Sequence, residues 1–151
     1  MKKVILAFLV FSFLNTFAQR QNEMGFFVNE DNSLFSGVFT FMKNDLKHEV
    51  TILKGEINGL AKIYNPDQKL IEEGLLINNV KDGKWLRYNA TGNIINIAFF
   101  KLGKKDSTWL VFDDNQVKRM EMHYKNGEKI GEWKSWNETG DLIAVKAYVL
   151  N

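Results

Sequence analysis

Gly83-Lys84-Trp85-Leu86-Arg87-Tyr88 is the stretch that decides the fold, because its pattern returns at a fixed interval. Related six-residue stretches occupy residues 107–112 and 131–136, each 24 residues after the one before. A period of this length is typical of units that stack on their neighbours and bury a shared core. The chain is therefore predicted to be a repeat array, and most of its residue choices serve to build that array.

Each unit contains two runs of strand-forming residues, such as Trp85 to Tyr88 and Ile94 to Phe100, separated by a short polar segment. Asn or Asp at its first position, Pro tolerated at its second and Gly at its fourth fit a type I turn. A residue in the left-handed region would then complete a hairpin loop with a bulge. The four segments are Asn65–Gln68, Asn89–Gly92, Asp113–Gln116 and Asn137–Gly140.

A second, longer junction in each unit is bracketed by residues that tolerate positive φ. Two turns per period mean two strands per period, paired edge to edge. The predicted fold is all-β, an elongated antiparallel meander of stacked β-hairpins that forms a single-layer twisted sheet and rises about 9.5 Å per unit. The four junctions run from Gly55 to Gly59, Asn79 to Gly83, Gly103 to Ser107 and Gly127 to Gly131.

The array continues upstream of these units in altered form. Ser36 to Phe39 and the strand from Leu46 to Ile52 resemble a unit shortened by two residues, since Gly37 and Gly59 are 22 apart. Phe26 to Val28 and Leu34 to Phe35 flank a polar turn and predict a capping hairpin. The predicted divisions are a signal peptide at 1–18, a tail with the start of the capping hairpin at 19–33, and the repeat domain at 34–151.

The N-terminal segment has the pattern of an export signal. Lys2 and Lys3 precede an apolar stretch of 11 residues from Val4 to Leu14, and Thr16-Phe17-Ala18 supplies small residues before a cleavage point. The stretch is shorter than the roughly 18 residues that a transmembrane helix needs. The chain is predicted to be exported to the periplasm, cell surface or medium, with no stable membrane insertion after signal removal. It has no cysteine for lipid attachment or disulfides.

The overall charge argues against nucleic acid as a partner. The whole chain has 20 basic and 18 acidic residues, and the two lysines of the signal segment account for the difference. The remaining chain is neutral overall, whereas binding to nucleic acid depends on neutralising phosphates. Within it, a local basic patch lies around two successive junctions, predicted either to keep sheet edges apart or to touch an acidic partner or anionic headgroups. The patch comprises Lys101, Lys104, Lys105, Lys125 and Lys129.

Aromatic residues are the candidate binding residues, and they form two rows. The rows are three residues apart, so regular strands would place them on opposite faces unless a bulge intervenes. Neighbouring rings in such rows pack the sheet together. An exposed row would instead bind a partner protein or sugar rings. The candidates are Trp85, Trp109 and Trp133 in the first row, and Tyr88, Phe112 and Trp136 in the second.

The residues that could carry catalysis do not converge. His48 and His123 occupy different positions in their units, and Glu72 and Glu73 are adjacent on a strand and should point to opposite faces. Asp82 and Asp106 align about 9.5 Å apart, too far for shared metal coordination, and are interpreted as solvated loop acids. Ser107, which replaces a glycine, is interpreted as a turn residue. We therefore predict no enzyme, no metal site and no cofactor.

The stretch Leu34-Phe35-Ser36-Gly37-Val38, followed by units reading Gly-x-Trp-x-x-aromatic, Gly-x-Leu or Ile, and aromatic-x-x-Gly, resembles the MORN-repeat variant of bacterial YwqK-type antitoxin proteins. The resemblance spans roughly residues 34–151. It implies a non-enzymatic β-repeat protein; relatives are often labelled antitoxins, and MORN arrays contact proteins or lipids. Ala61, where Trp is expected, and Ser107 depart from the pattern, and an export signal conflicts with a cytoplasmic antitoxin.

These observations together predict an exported, non-catalytic protein-binding or scaffold module. Two alternatives stay open. One is an immunity or antitoxin protein that neutralises a toxic partner outside the cytoplasm. The other is a glycan-binding module that uses the aromatic row.

Overall fold

The computed structural model describes residues 20–149, with only the backbone of Arg20. The signal peptide predicted at 1–18 lies outside these residues. The described chain is all-β, and it has no helix of the length and hydrophobicity needed to cross a bilayer. Its strands are β1 Arg20–Gln21, β2 Phe27–Val28, β3 Gly37–Lys43, β4 Leu46–Leu53, β5 Glu56–Tyr64, β6 Leu70–Ile77, β7 Val80–Tyr88, β8 Ile94–Lys101, β9 Lys104–Lys105, β10 Ser107–Phe112, β11 Lys118–Lys125, β12 Glu128–Trp136 and β13 Leu142–Tyr148.

The strands from β3 to β13 form one open antiparallel sheet in which each strand pairs with the next along the chain. β9 and β10 act as one interrupted strand, because both pair with β8. β1 and β2 form a separate two-stranded ribbon. The all-β meander of hairpin repeats predicted from the 24-residue period is confirmed.

The short turns have the predicted geometry. In the turn that begins at Asn89, the N–H of Gly92 donates to the carbonyl of Asn89 at 3.0 Å, and the Asn89 side chain accepts the N–H of Thr91 and of Asn93. The fourth residue of each turn has the left-handed backbone that completes the bulged loop. These fourth residues are Gln68 (φ 61°), Gly92 (87°), Gln116 (63°) and Gly140 (85°).

The longer junctions differ from the sequence expectation, since most of each one belongs to a strand. The chain reverses in two residues that both have positive φ, as in the type I′ turns that suit the twist of a hairpin. The bracketing residues also have positive φ, as expected. The second bracketing residue forms a bulge within the strand that follows the turn, which we call the outgoing strand of the unit. The strand that follows the short polar turn is the return strand. The two-residue turns are Lys54–Gly55, Asn78–Asn79, Leu102–Gly103 and Asn126–Gly127.

Ser107 occupies the bulge with φ 56°, where Gly83 has 63° and Gly131 has 61°. A side chain in this region is strained, so Ser107→Gly should raise the free energy of unfolding by about 0.5–1 kcal/mol. The matched control is Gly83→Ser, which should lower it by a similar amount, because a Cβ at Gly83 would meet no atom within 4 Å and only backbone strain remains. Urea unfolding followed by circular dichroism measures both. A Ser107→Gly protein less stable than the parent would contradict this.

Successive units are joined at each junction by hydrogen bonds. The N–H of Gly103 donates to the carbonyl of Lys81 at 2.8 Å, and the N–H of Gly127 donates to that of Lys105 at 2.7 Å. The carboxylates of Asp82 and Asp106 accept the N–H groups of Leu102 and Asn126. These aspartates, which the sequence predicts to be solvated acids, therefore also help to join successive units. The bond from Asn126 is the main cause that holds the pKa of Asp106 below its usual value.

The core lies on one face of the sheet. Cross-strand partners share a face, and the series Val50, Ala61, Gly74, Trp85 and Ala98 are successive partners on adjacent strands. All of them are buried. At the β3 end, the ribbon closes over this face through Phe27, whose ring lies 4.9 Å from that of Phe39. We call this the ladder face, after the aromatic side chains described next, and the other side the opposite face.

Candidate functional site

The ladder face carries a continuous series of aromatic rings, which we call the aromatic ladder. Tryptophans from outgoing strands alternate with aromatic residues from return strands, and consecutive ring centroids beyond the first pair lie 4.9–5.3 Å apart. Tilted and edge-to-face arrangements at these distances are favourable. The ladder comprises Trp85, Phe100, Trp109, Tyr124, Trp133 and Tyr148.

Each tryptophan is also fixed by a hydrogen bond to the preceding return strand. The indole N–H of Trp85 donates to the Leu75 carbonyl at 3.0 Å, that of Trp109 to Phe99 at 2.8 Å, and that of Trp133 to His123 at 3.1 Å. The acceptors are again 24 residues apart. They lie next to the bulge, where the regular pairing between strands is interrupted. The half-buried or buried indole N–H groups are therefore satisfied by backbone carbonyls beside the bulge, and the Phe99 carbonyl also accepts the N–H of Asp106 at 2.9 Å.

A row of lysines lies over the ladder. The Nζ atom of Lys81 lies 3.8 Å from the Trp85 ring centroid, that of Lys105 lies 4.4 Å from Trp109, and that of Lys129 lies 4.6 Å from Trp133. Each ammonium group also lies within 5.2 Å of the next ring of the ladder. These distances are those of cation–π contacts. The lysines are 24 residues apart, so the spacing between neighbouring charges is about two strand separations, or 9.5 Å.

The environment of these lysines changes along the sheet. Lys81 forms an ion pair with Glu72, which also lies 3.5 Å from Arg87. Lys105 and Lys129 are exposed, and neither has an ion-pair partner among residues 20–149. Lys146, near Tyr148, adds a further positive charge to the same face. The half of the ladder face formed by β9 to β13 is therefore an aromatic surface with free positive charge.

The six candidate binding residues divide between the two faces, as the three-residue offset predicted. Trp85, Trp109 and Trp133 belong to the ladder face. The second row lies on the opposite face: Tyr88 donates from its hydroxyl to Glu73 at 2.6 Å, and Lys118 Nζ lies 4.0 Å from the Trp136 ring. Phe112, half-buried in β10, belongs to this row through its pairing with Lys118. The structure does not bring the two rows together.

Burial raises the pKa of Tyr88 to about 12, with the hydrogen bond to Glu73 as the next cause. Because the folded state favours the neutral phenol, this contribution to stability is complete below the ordinary pKa near 10 and is lost as the pH rises towards 12. Tyr88 is therefore a structural residue at neutral pH.

The catalytic candidates stay separate. Glu72 pairs with Lys81 on the ladder face, while Glu73 pairs with Tyr88 on the opposite face, which confirms the predicted divergence. His48 stacks on Phe41 at 5.0 Å. His123 Nδ1 lies 3.0 Å from Thr108 Oγ1 and its Nε2 lies 3.5 Å from Glu121, on an open face. Within residues 20–149, no cluster of three or more His, Asp or Glu side chains is placed to hold a metal ion.

Sequence reasoning grouped Lys105 and Lys129 in a basic patch, but it missed that they form a row with Lys81 over the tryptophans, and it missed the ring partners of the tryptophans. The row of residues 76, 100, 124 and 148 is visible as a 24-residue repeat, but Phe100, Tyr124 and Tyr148 lie 15 residues from Trp85, Trp109 and Trp133. Their contact depends on the strand register. The same 24-residue step leads from Lys81 to Lys105 and Lys129, and this signal could have identified the row.

The fold and this face define a β-hairpin repeat array with an aromatic, basic surface. Residues 81–102 match the family described as MORN repeat variant. The match covers one unit, including Lys81, Trp85 and Phe100. Repeats of this family commonly bind proteins or membranes and are generally non-catalytic. No curated protein matches the chain.

Proposed function

We propose that this protein is an exported, non-catalytic binding module that recognises a protein partner with the β9–β13 half of its ladder face. The observation that carries the proposal is the position of Lys105 and Lys129. Both are exposed over aromatic rings, and neither is neutralised by a carboxylate within the described chain. Such charges are free to meet the charges of a partner, while the rings beneath supply apolar contact area.

The partner is expected to present carboxylates to this face. Lys105, Lys129 and Lys146 give it positive charge, although the chain without its signal segment is neutral. Complementary charge would speed association and make binding weaker at high salt. The lysine ammonium groups lie over the tryptophan rings. The lysines therefore contact the partner first, and the tryptophans support them from below.

Two narrower roles fit the same surface. If the acidic partner is a toxin met outside the cytoplasm, the module would act as an immunity protein, and co-expression of the two would restore growth. If it is a polysaccharide, binding to purified glycans would replace protein capture. The basic charge over the rings favours an acidic ligand over a neutral sugar.

The test is charge reversal at Lys105 and Lys129. Affinity capture from the cells that make the protein, with partners identified by mass spectrometry, should lose its main acidic partner in the Lys105→Glu/Lys129→Glu variant. The affinity for that partner should fall by at least about tenfold at low salt, since two attractions become repulsions.

The chain supplies a matched control in Lys101→Glu/Lys125→Glu. These exposed lysines have the same 24-residue spacing, next to the same turns, but the strand alternation places them on the opposite face. The control variant should keep the partner. If both variants lost the partner equally, binding would depend on overall charge and not on one face. If both variants kept the partner, the ladder face would not be the binding surface.

A further inference from the structure

The described sheet has two open edges, at β3 and at β13. Among residues 20–149, β3 pairs only with β4, and β13 pairs only with β12. Both edge strands expose large apolar side chains. Ile143 is 62% exposed and Leu142 and Val145 are about half-exposed on β13, while Val38 is 62% exposed and Met42 is also exposed on β3. Long apolar edge strands are templates for pairing with another strand.

The repeat itself specifies which strand would cover β13. Inside the array, Tyr124 is buried because Trp109 lies on one side and Trp133 of the following outgoing strand lies on the other. Tyr148, which is 24 residues later, has Trp133 on one side, and the described chain supplies no outgoing strand on the other. A covering strand would run antiparallel to β13, with an aromatic residue two positions after a glycine.

β3 has this pattern. Gly37 corresponds to the bulge glycines of later units, and Phe39 stands where those units have tryptophan. β3 is an outgoing strand, and because successive strands alternate in direction, it runs opposite to β13. The two open edges of one molecule are therefore complementary in direction and in sequence pattern.

We propose that molecules of this protein associate head to tail, with β3 of one copy pairing with β13 of the next and continuing the sheet. Inside the array, Trp85 lies opposite Gly74. Phe39 stands at the tryptophan position, and Lys146 stands three repeats after Gly74 at the equivalent position. The same register therefore places Phe39 of the second copy opposite Lys146 of the first. Phe39 then places a ring beside the Lys146 ammonium group, where a cation–π contact can form across the two strands. On the opposite face, Thr40 meets Val145 and Met42 meets Ile143.

The proposed register brings no like charges together. The charged residues at this edge, Lys43 on β3 and Lys146 on β13, lie opposite Leu142 and Phe39 respectively. This contact joins two different surfaces, so it can extend from copy to copy, and the average length of the assembly depends on protein concentration. The contact uses Lys146 but leaves Lys105 and Lys129 exposed, and these two lysines carry the proposed site for the acidic partner.

The experiment places charges at the exposed pair Thr40 and Val145, which the proposal sets directly opposite each other. The parent and two variants of the full chain are studied by analytical ultracentrifugation over a wide range of concentration. Thr40→Lys/Val145→Lys places like charges across the contact, and Thr40→Glu/Val145→Lys places opposite charges there. Circular dichroism confirms that each variant is folded.

We expect the parent to form concentration-dependent oligomers, the Lys/Lys variant to be monomeric at the same concentrations, and the Glu/Lys variant to associate again. The association constants of the two variants should differ by about tenfold or more. A monomeric parent at every concentration would overturn the proposal. Equal association constants for the two variants would also overturn it. That result would fit a contact between two β13 strands, which Val145→Lys would affect in both variants and to which residue 40 would not contribute.

Discussion

Replacing Trp85 by alanine is expected to lower the free energy of unfolding by about 3–5 kcal/mol, enough to unfold most of the array. Trp85 is only 3% exposed, and its ring packs between Gly74 and Ala98 under the Lys81 ammonium group. Truncation would leave a cavity at the centre of the sheet. It would also remove the donor to the Leu75 carbonyl, which lies beside the bulge. Urea unfolding followed by circular dichroism measures the change.

Trp133→Ala is the matched control. Trp133 makes the same type of indole hydrogen bond and the same cation–π contact, but it is only half-buried. Its replacement should cost clearly less, because less apolar surface returns to water. If the two variants lost equal stability, burial would not determine the contribution of a ladder residue.

Replacing Gly74 by alanine is the second large effect, and it should destabilise the fold by about 1–3 kcal/mol through overpacking. A Cβ at Gly74 would lie 2.2–2.4 Å from atoms of the Trp85 indole, closer than any real contact. The backbone of Gly74 does not have a positive φ, so the cost arises from this collision alone. Ala98, at the same position one unit later, shows that the backbone itself accepts a side chain there.

A double-mutant cycle separates the collision from other effects. In a Trp85→Phe background, the smaller ring gives the new methyl group more room, so Gly74→Ala should cost less there than in the parent. The difference is the interaction energy between the two positions, and contacting residues give about 0.5–3 kcal/mol. Equal costs in both backgrounds would show that Gly74 is required for a reason other than Trp85. Ala98→Gly makes the reverse exchange at the equivalent position of the next unit and adds no atom near the ladder. Its change in stability shows what glycine in place of alanine costs there without a collision.

The tryptophans and the lysines of the ladder face have different roles. The indole rings are held by hydrogen bonds and neighbouring rings, so their replacement tests the fold before it tests binding. The ammonium groups of Lys105 and Lys129 are exposed, and a cation–π contact at such a site contributes only about 0.5–1 kcal/mol. Charge reversal at the lysines therefore tests function with little effect on folding.

Local signals in the sequence were sufficient for the strands and the short turns. The run from Trp85 to Tyr88 favours a strand, and the Asn89–Gly92 segment favours a turn, because each depends on the conformational preferences of residues close together in the chain. The division of Trp85 and Tyr88 between two faces also follows from alternation along one strand. The fixed period then places equivalent residues of successive units in rows.

The position of the bulge was only partly visible. Gly83 and Gly131 indicated positive φ, but the sequence placed them at the end of a loop, and the structure places them within a strand after a two-residue turn. Asn78 and Asn79 can serve in either kind of junction. The choice depends on pairing with the neighbouring strand, which local preferences do not specify.

The sequence by itself determined the all-β class, the 24-residue unit, its two strands and the two aromatic rows, because these depend on local conformation and on periodicity. Only the tertiary structure decided that Trp109 lies between Phe100 and Tyr124, and that Lys105 covers the ladder beside it. These contacts join residues on different strands. Strand register, shifted by the bulges, sets which residues meet, and a shift of one residue would have sent each of these side chains to the other face.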